Sequence, residues 1–210
     1  MTSEESTVRP EGASKPPAYF EAMYDEAQDP WGFESRPYER EKYAATLAML
    51  PRSRYTAVFE IGCSVGVLTE RLAARCDRLL AVDVVAAPLE RAQFRCRHFD
   101  HVRFAMMRIP QEFPVERFDL VVLSEVGYYW SRDDLELAAD LIVAHLNPQG
   151  QLLLAHWRPE VEGCPLTGDE VQKIVRERSA GRLEHRGGTL NASYRLDLFA
   201  RLENGPLART

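Results

Sequence analysis

The stretch V-F-E-I-G-C-S-V-G-V-L-T-E-R-L, residues 58–72, passes from an apolar run through a glycine-bearing turn into an amphipathic segment. The run 55–61 is short and apolar, which predicts a buried strand. Gly62 and Gly66 follow this strand, and the apolar spacing after them predicts a helix over 66–75. A strand, a turn and a helix in this order predict the first unit of a parallel sheet.

The residues after this unit repeat the alternation of short apolar runs with amphipathic segments. Leu120–Leu123 is continuously apolar, as in a strand that is buried on both faces. Further strands are predicted over 78–84, 102–107, 118–124, 151–156, 182–189 and 193–201, and further helices over 37–50, 88–99, 133–146 and 168–178. This order predicts an α/β fold with a doubly wound, mostly parallel seven-stranded sheet. The last two strands, which no helix separates, predict a C-terminal antiparallel hairpin.

Composition and charge exclude several classes of protein. The 210 residues are 45% hydrophobic and 28% charged, which is typical of a globular chain and not of a collagen-like or fully disordered one. The net charge of −6 disfavours binding to nucleic acid through a basic face. Charged residues interrupt each long apolar stretch before it reaches the roughly 20 residues that a membrane span needs, so no membrane segment is predicted.

The cysteines indicate the compartment. Cys63, Cys76, Cys96 and Cys164 form no C-x-x-C pair, and no export signal is recognised, so we expect reduced thiols in a cytoplasmic protein. Cys96, His98 and His101 carry donor atoms for zinc, but a fourth ligand is lacking and no metal is expected. The sequence leaves the oligomeric state open.

Three regions are predicted along the chain. Residues 1–17 are polar and contain prolines, which predicts a disordered leader. Residues 18–50 combine an aromatic-rich segment with the helix over 37–50, and we expect them to act as a lid or cap. Residues 51–210 then form the domain that holds the sheet and its ligand.

Two features at the ends of the first two strands indicate a nucleoside-binding site. Gly62 has no Cβ, so a ligand can approach the backbone closely after the first strand. Asp83 ends the second strand, 21 residues later, where a carboxylate can accept hydrogen bonds from both hydroxyls of a ribose. Together they predict a cofactor that contains adenosine. Ser64 stands where the dinucleotide fingerprint has its second glycine, which disfavours a nicotinamide cofactor.

Three motifs resemble those of class I S-adenosylmethionine-dependent methyltransferases. Residues 58–72 resemble the first motif of that superfamily, with Glu60 as its leading acid. F-D-L-V at 118–121 is similar to its fourth strand, and N-P-Q-G-Q-L-L-L at 147–154 looks like its entry to the fifth strand. The resemblance covers residues 38–202 and implies a Rossmann-like methyltransferase that uses S-adenosyl-L-methionine as its cofactor.

The resemblance also implies further contacts of that cofactor. Arg40 is expected to pair with its methionyl carboxylate, with a solvated arginine on the helix surface as the alternative. Adenine is expected to be held by backbone groups, by Gln111 or by apolar packing on Met107. Arg108 stands where such enzymes often carry an acid that accepts from adenine, whereas arginine can only donate. The residues assigned to cofactor binding are Arg40, Glu60, Gly62, Cys63, Gly66, Asp83, Met107, Arg108 and Ser124.

A narrower resemblance links the chain to the nodulation protein S family. The stretches D-P-W at 29–31, P-Y-E-R at 37–40 and S-E-V-G-Y-Y at 124–129 look like stretches of that family. Its members N-methylate the deacetylated terminal glucosamine of chitooligosaccharide signals. The resemblance therefore implies an amino sugar or a related small amine as the acceptor.

Candidate catalytic and acceptor-binding residues follow the fourth and fifth strands. An amine must be neutral to attack the methyl group, so a nearby hydrogen-bond acceptor can orient or deprotonate it. Glu125 and His156 are the candidates for this role, with a turn cap and a structural histidine as the respective alternatives. Trp31, Tyr128 and Tyr129 are assigned to acceptor binding, with packing in the core as their alternative.

Other functions stay open at this point. The same site would suit an O-methyltransferase of a small molecule, and Asp83 would suit the ribose of a nicotinamide cofactor in an oxidoreductase. A domain that binds the nucleoside without catalysis is the non-enzymatic alternative. The presence together of Glu60, Gly62, Gly66 and Asp83 disfavours that alternative.

Overall fold

Seven strands and six α-helices are seen in the computed structural model, which describes residues 12–203. In chain order the strands are β1 (Tyr55–Ile61), β2 (Cys76–Asp83), β3 (Val102–Met106), β4 (Phe118–Ser124), β5 (Leu146–Trp157), β6 (Leu183–Leu190) and β7 (Tyr194–Arg201). The helices are α1 (Pro17–Glu26), α2 (Pro37–Ala48), α3 (Val67–Ala73), α4 (Ala86–Arg95), α5 (Arg132–His145) and α6 (Gly168–Arg178), and a 3₁₀ turn covers Gly127–Tyr129. The bounds of the predicted elements agree to within two residues except in α4 and β5.

The strands form one sheet in the order β3-β2-β1-β4-β5-β7-β6. The pairs β1–β2, β1–β4, β2–β3 and β4–β5 are parallel. β7 lies antiparallel between β5 and β6, so the last two strands form the expected hairpin. The predicted doubly wound, mostly parallel sheet is confirmed. Its strand order reverses between β1 and β4, where a ligand crevice is expected outside the carboxyl ends of the strands.

Both faces of the sheet are packed, as the continuous apolar run of β4 predicts. Val121 and Leu123 join the core beneath α5 and α6, whereas Leu120 and Val122 join the core beneath α3 on the other face. Burying each such side chain contributes roughly 1.5–3 kcal/mol. The packed sheet therefore holds the ends of its strands, and the loops that follow them, in fixed positions. Within residues 12–203, no helix is both long and apolar enough to cross a membrane.

Two elements depart from the prediction. α1 was not predicted, although Pro17 at its first position favours the start of a helix. β5 begins at Leu146 instead of 151, because residues 147–150, which precede the predicted strand, already belong to it. The pairing of β4 with β5 shifts its register between Phe118 and Leu120, which accommodates this irregular entry.

The end of the predicted leader, residues 1–17, makes contacts with the domain. Residues 1–11 lie outside the described part of the chain. The Ser131 N–H donates to Ser14 Oγ at 2.7 Å, and the Lys15 N–H donates to the Tyr129 carbonyl at 2.8 Å. These two hydrogen bonds attach Ser14 and Lys15 to the residues before α5.

Candidate active site

A cavity of about 520 Å³ lies at the carboxyl edge of the sheet. Gly62, Asp83 and Glu125, which end or follow β1, β2 and β4, lie on its floor, and α1 and the segment leading into α2 cover it. This volume is within the range of roughly 300–1,000 Å³ that is usual for small-molecule sites. The position of the cavity is the crevice expected from the strand order.

The turn after β1 requires two glycines with positive φ. Gly62 has φ +77°, and a Cβ there would lie 2.1 Å from Cγ2 of Val126 in the loop after β4. Gly66 has φ +79° at the start of α3, and a Cβ there would lie 2.8 Å from Cα of Ala92 in α4. Other residues rarely adopt this conformation, and neither position has space for a side chain. The turn therefore presents bare backbone to the cavity at Gly62.

Asp83, at the end of β2, binds the turn to the strand and lines the cavity. Its Oδ2 accepts the Ser64 N–H at 2.9 Å, and its Oδ1 accepts the Val85 N–H at 3.1 Å. Burial raises the pKa of Asp83, and these backbone donors oppose the rise. The two bonds use two of the roughly four acceptor sites of a carboxylate, which leaves sites for a vicinal diol.

Four residues assigned to the cofactor lie beneath the cavity floor. Glu60, Cys63, Gly66 and Ser124 are buried and do not line the cavity. They support the turn after β1 and the end of β4 from below, where the sheet packs against α3 and α4. Their assignment to cofactor binding stays a prediction.

The burial of Glu60 can be tested through the pH dependence of the free energy of unfolding. Burial raises the pKa of Glu60 from 4.5 to about 8, against the opposing effect of the Thr69 hydroxyl. The folded protein keeps this proton over a range in which the unfolded chain loses it. The free energy of unfolding should therefore fall between about pH 4.5 and 8, by up to about 1.4 kcal/mol per pH unit. We expect Glu60→Gln to remove this slope in urea unfolding from pH 5 to 9; an unchanged slope would mean that Glu60 is ionised when folded.

The residues after β3 form one end of the cavity. Met107 is half-buried and Arg108 is exposed, and both line the cavity together with Val84 and Ile109. The Arg108 N–H donates to the Glu112 carboxylate at 2.6 Å. This end of the cavity is therefore mainly apolar, with a guanidinium at its rim.

Arg40 does not line the cavity, and its contact with the cofactor stays a prediction. It is exposed on α2, whereas Glu39 and Lys42 of the same helix are buried and line the cavity. Successive residues of a helix are rotated by about 100°, so Arg40 leaves the inward face that Glu39 occupies. The arginine that lines the cavity from this segment is Arg36, just before the helix.

Glu125, after β4, accepts hydrogen bonds from three elements. Its Oε1 accepts from Lys42 Nζ at 2.7 Å, and its Oε2 accepts from the Tyr128 hydroxyl at 2.8 Å and the Trp157 N–H at 3.0 Å. Its φ of +58° is strained for a residue with a side chain, and surrounding contacts must hold it there. Burial alone would raise the pKa of Glu125, but Lys42 and the other donors lower it below its usual value. Glu125 is thus an anion at neutral pH with one of about four acceptor sites left.

Lys42 and Glu39 complete this network, although neither was predicted to be a site residue. Lys42 Nζ lies 2.9 Å from Glu39 Oε2, and the Lys42 side chain is only 2% exposed. Lysine and glutamate are rarely buried, so a reading of the sequence places them on the surface. However, positions 39 and 42 share one helix face with the buried Tyr43 and Thr46. That i, i+3, i+4, i+7 spacing is the signal that could have located them.

His156, the other predicted catalytic residue, lies behind the cavity wall. It is fully buried near the end of β5, and its Nε2 accepts the Gly127 N–H at 3.3 Å. Burial lowers its pKa to about 4, so the ring is neutral. The ring supports the loop after β4 and does not line the cavity, and the role as a general base stays a prediction. The alternative of a structural histidine fits this placement.

Trp31, Tyr128 and Tyr129 line the cavity, together with aromatic residues of α1. The rings of Trp31 and Tyr24 meet edge-on with centroids 5.5 Å apart. The Tyr24 hydroxyl lies 2.6 Å from the Ser64 hydroxyl in the turn after β1. The rings of Phe20 and Tyr129 also meet edge-on, with centroids 4.9 Å apart. The aromatic cover thus contacts both the turn after β1 and the 3₁₀ turn after β4.

The comparison with known sequences gives one family. The model of the nodulation protein S family (NodS) matches residues 22–174 of this chain. Nodulation protein S from Bradyrhizobium diazoefficiens is 35% identical over 136 residues, which are 63% of this chain and 65% of that protein. The chain therefore spans slightly less than two thirds of the length of this curated relative.

The comparison with solved structures agrees. The N-methyltransferase NodS from Bradyrhizobium japonicum WM9, in complex with S-adenosyl-L-homocysteine, is similar with a TM-score of 0.77 and 28% identity, over 87% of this chain and 97% of that one. A candidate methyltransferase from Pseudomonas syringae is 40% identical with a TM-score of 0.71, over 79% of this chain and 100% of that one.

Proposed function

This chain belongs to the nodulation protein S family, and from that premise we propose that it transfers the methyl group of S-adenosylmethionine to the amine of a small molecule, an amino sugar of the deacetylated glucosamine type. The observation that carries the proposal is the pairing of Asp83 and Glu125 in one cavity. Asp83 has acceptor sites for a diol, and Glu125 has a remaining site for an amine. The similar NodS protein solved with S-adenosylhomocysteine supports the same cofactor.

The sheet edge holds the cofactor in this proposal. Asp83 accepts from the ribose hydroxyls, and the bare backbone at Gly62 permits close approach. Met107 packs on the adenine, whereas Arg108 can only donate and does not receive the adenine amino group. When bound, the cofactor supplies an electrophilic methyl group on a sulfonium cation.

Glu125 orients the acceptor. The amine attacks as a neutral nucleophile, so a carbon–nitrogen bond forms while the carbon–sulfur bond breaks and the positive charge moves to nitrogen. Glu125 accepts one N–H of the amine, which aligns the nitrogen lone pair with the methyl group. As a buried anion it also stabilises the charge that develops on nitrogen. The product ammonium then loses its extra proton to water.

Tyr38 and Trp157 form the wall beside Glu125. Their rings meet edge-on with centroids 5.3 Å apart, and both residues line the cavity. Aromatic faces of this kind pack well on the apolar faces of a sugar ring. The Tyr38 hydroxyl is buried and has no hydrogen-bond partner among residues 12–203, so it is available to a sugar hydroxyl. These features favour an amino sugar over a simple alkylamine.

A methyl-transfer assay tests the proposal. The protein is incubated with tritiated-methyl S-adenosylmethionine and a panel of deacetylated chitooligosaccharides, their fully N-acetylated forms and simple amines. We expect label only in acceptors with a free amine, with mass spectrometry and NMR locating the methyl group on nitrogen. A methyl group on oxygen, or equal labelling of the N-acetylated forms, would contradict an amine acceptor.

Glu125→Gln should lower kcat about 100-fold, because the amide keeps the size of the side chain but loses the charge that orients and stabilises the amine. The Kd of S-adenosylhomocysteine should stay within about twofold of the wild-type value, since the cofactor binds at Asp83. Glu177→Gln, at a side chain that is 62% exposed on α6, is the matched control. Unaltered turnover in Glu125→Gln would mean that Glu125 only caps the turn that follows β4.

A further inference from the structure

The buried ion network of Glu39, Lys42 and Glu125 is more elaborate than acceptance of one N–H requires. Two carboxylates share one ammonium at the cavity wall, and the Lys42 and Glu39 side chains are 2% and 7% exposed. Among residues 12–203, Lys42 is the cation within salt-bridge distance of Glu125. Buried charges are costly unless they are paired, so the ammonium bears directly on the state of Glu125.

We propose that Lys42 is a positioning residue for methyl transfer, which holds Glu125 as an oriented anion, and that Glu39 competes for the same ammonium and limits this hold. This inference rests on the proposed function, because there Glu125 orients the acceptor. Lys42 acts through Glu125 and does not itself need to touch the acceptor.

The geometry fixes Lys42 as firmly as Glu125. Its Nζ lies 2.7 Å from Glu125 Oε1 and 2.9 Å from Glu39 Oε2, on opposite sides of the interface between α2 and the loop after β4. The same ammonium lies 5.2 Å from the ring centroid of Tyr38 and 5.9 Å from that of Tyr43. Two anions and two aromatic faces therefore leave the side chain little freedom to swing away.

Burial raises the pKa of Glu125, and Lys42 is the neighbouring charged group that counteracts this effect most strongly. The titratable and charged groups around it come from α2, the 3₁₀ turn and β5, and they are Tyr38, Glu39, Lys42, Tyr43, Tyr128, Tyr129 and His156. The tyrosines are neutral because burial raises their pKa, and His156 is neutral because burial lowers its pKa. Without the ammonium, two nearby buried carboxylates could not both remain ionised at neutral pH.

Two substitutions should move Glu125 in opposite directions. In Lys42→Met, Glu125 should titrate higher than in the wild type by enough to be largely protonated at pH 7, whereas in Glu39→Gln it should titrate lower. Lys42→Arg should restore most of the wild-type behaviour, because it keeps the charge. Lys173→Met, at a side chain that is 72% exposed on α6, is the control for the loss of a lysine.

The direct readout is the ¹³C NMR titration of the Glu125 carboxyl carbon in the full chain, with its signal assigned by comparison with Glu125→Gln. The kinetic readout is kcat against pH with the best amine of the panel. We expect the acidic limb of Lys42→Met to move up by the same amount and its kcat at pH 7 to fall at least 10-fold, with the Kd of S-adenosylhomocysteine unchanged within twofold. A folded Lys42→Met whose Glu125 titration or pH profile equals that of the wild type would overturn the proposal.

The two proposals fail separately. If no amine accepts a methyl group, the proposed function fails, while the NMR titration still decides whether Lys42 governs Glu125. If Lys42→Met does not fold, Glu39→Gln decides: a lower titration of Glu125 supports competition for one ammonium, and an unchanged or higher one overturns it.

Discussion

Replacing Asp83 with alanine should weaken the binding of S-adenosylhomocysteine by about 2–4 kcal/mol, or roughly 30- to 1,000-fold in Kd. The variant loses the acceptor of two ribose hydroxyls. It also releases the N–H groups of Ser64 and Val85, which Asp83 binds at 2.9 and 3.1 Å and which hold the turn after β1 in place. Titration calorimetry of the wild type and the variant at one salt concentration measures the difference.

Two further variants sharpen this result. Asp83→Asn should restore binding only in part, because it lacks the charge and one of the two acceptor oxygens, and an NH₂ group cannot accept from a backbone N–H or from a ribose hydroxyl. Asp77→Ala, on the same strand β2 but 51% exposed, should leave the Kd unchanged. Wild-type affinity in Asp83→Ala would remove Asp83 from the cofactor site. If the wild type bound NAD and not S-adenosylhomocysteine, the proposed methyltransferase activity would itself be untenable.

Deleting residues 1–34 should abolish methyl transfer while the sheet domain remains folded. The deletion removes α1 and the aromatic residues Phe20, Tyr24 and Trp31, which line the cavity. No residue of α1 is fully buried, and only Tyr19, Phe20 and Tyr24 of this helix pack against the two large cores, so its loss should leave the sheet domain folded. Without this cover, water enters the site and the acceptor loses one wall of its pocket. Turnover and the thermal unfolding midpoint, measured on the same preparation, separate the two effects.

Deletion of residues 1–11 is the control, because it keeps the contacts of Ser14 and Lys15; turnover should be retained. We further propose that residues 17–34 act as a lid that becomes more ordered on binding. Hydrogen exchange in this segment should then slow when S-adenosylhomocysteine and the acceptor are added. Equal exchange with and without ligands would make the segment a permanent cover, and full activity after deletion of 1–34 would remove it from the site altogether.

The sheet and the floor of the cavity are predictable from the sequence because they depend on local patterns. The continuous apolar run in β4 identifies a strand buried on both faces, and parallel strands bring their carboxyl ends to one edge. Gly62, Asp83 and Glu125 directly follow or end strands, so their meeting at that edge follows from the strand order alone. The sequence alone therefore predicts that these three residues line one cavity.

The part of the site contributed by the N-terminal segment was not predictable in this way. Whether Arg40 or Lys42 faces the cavity depends on how α2 is rotated against the sheet, and the signal for that rotation is the spacing of the buried residues within α2 itself. His156 has the position of a catalytic residue at a strand end, yet the packing of the 3₁₀ turn at Gly127 places it behind the wall. Both placements depend on contacts between elements that are distant in sequence.

One wall of the proposed acceptor pocket and the proposed nucleoside site come from different parts of the chain. The acceptor side of the cavity draws Trp31, Tyr38 and Lys42 from residues 17–48, whereas Asp83 lies on the sheet that begins at Tyr55. A recombination junction near residue 50 would therefore exchange one wall of the proposed acceptor pocket between related chains, while Glu125, Trp157 and the proposed nucleoside site at Asp83 stayed with the sheet. The 2.7 Å contact of Lys42 with Glu125 crosses that junction, as do the ion pairs of Glu34 with Arg91 and Arg95, so viable chimeras are those whose two parents agree at these pairs.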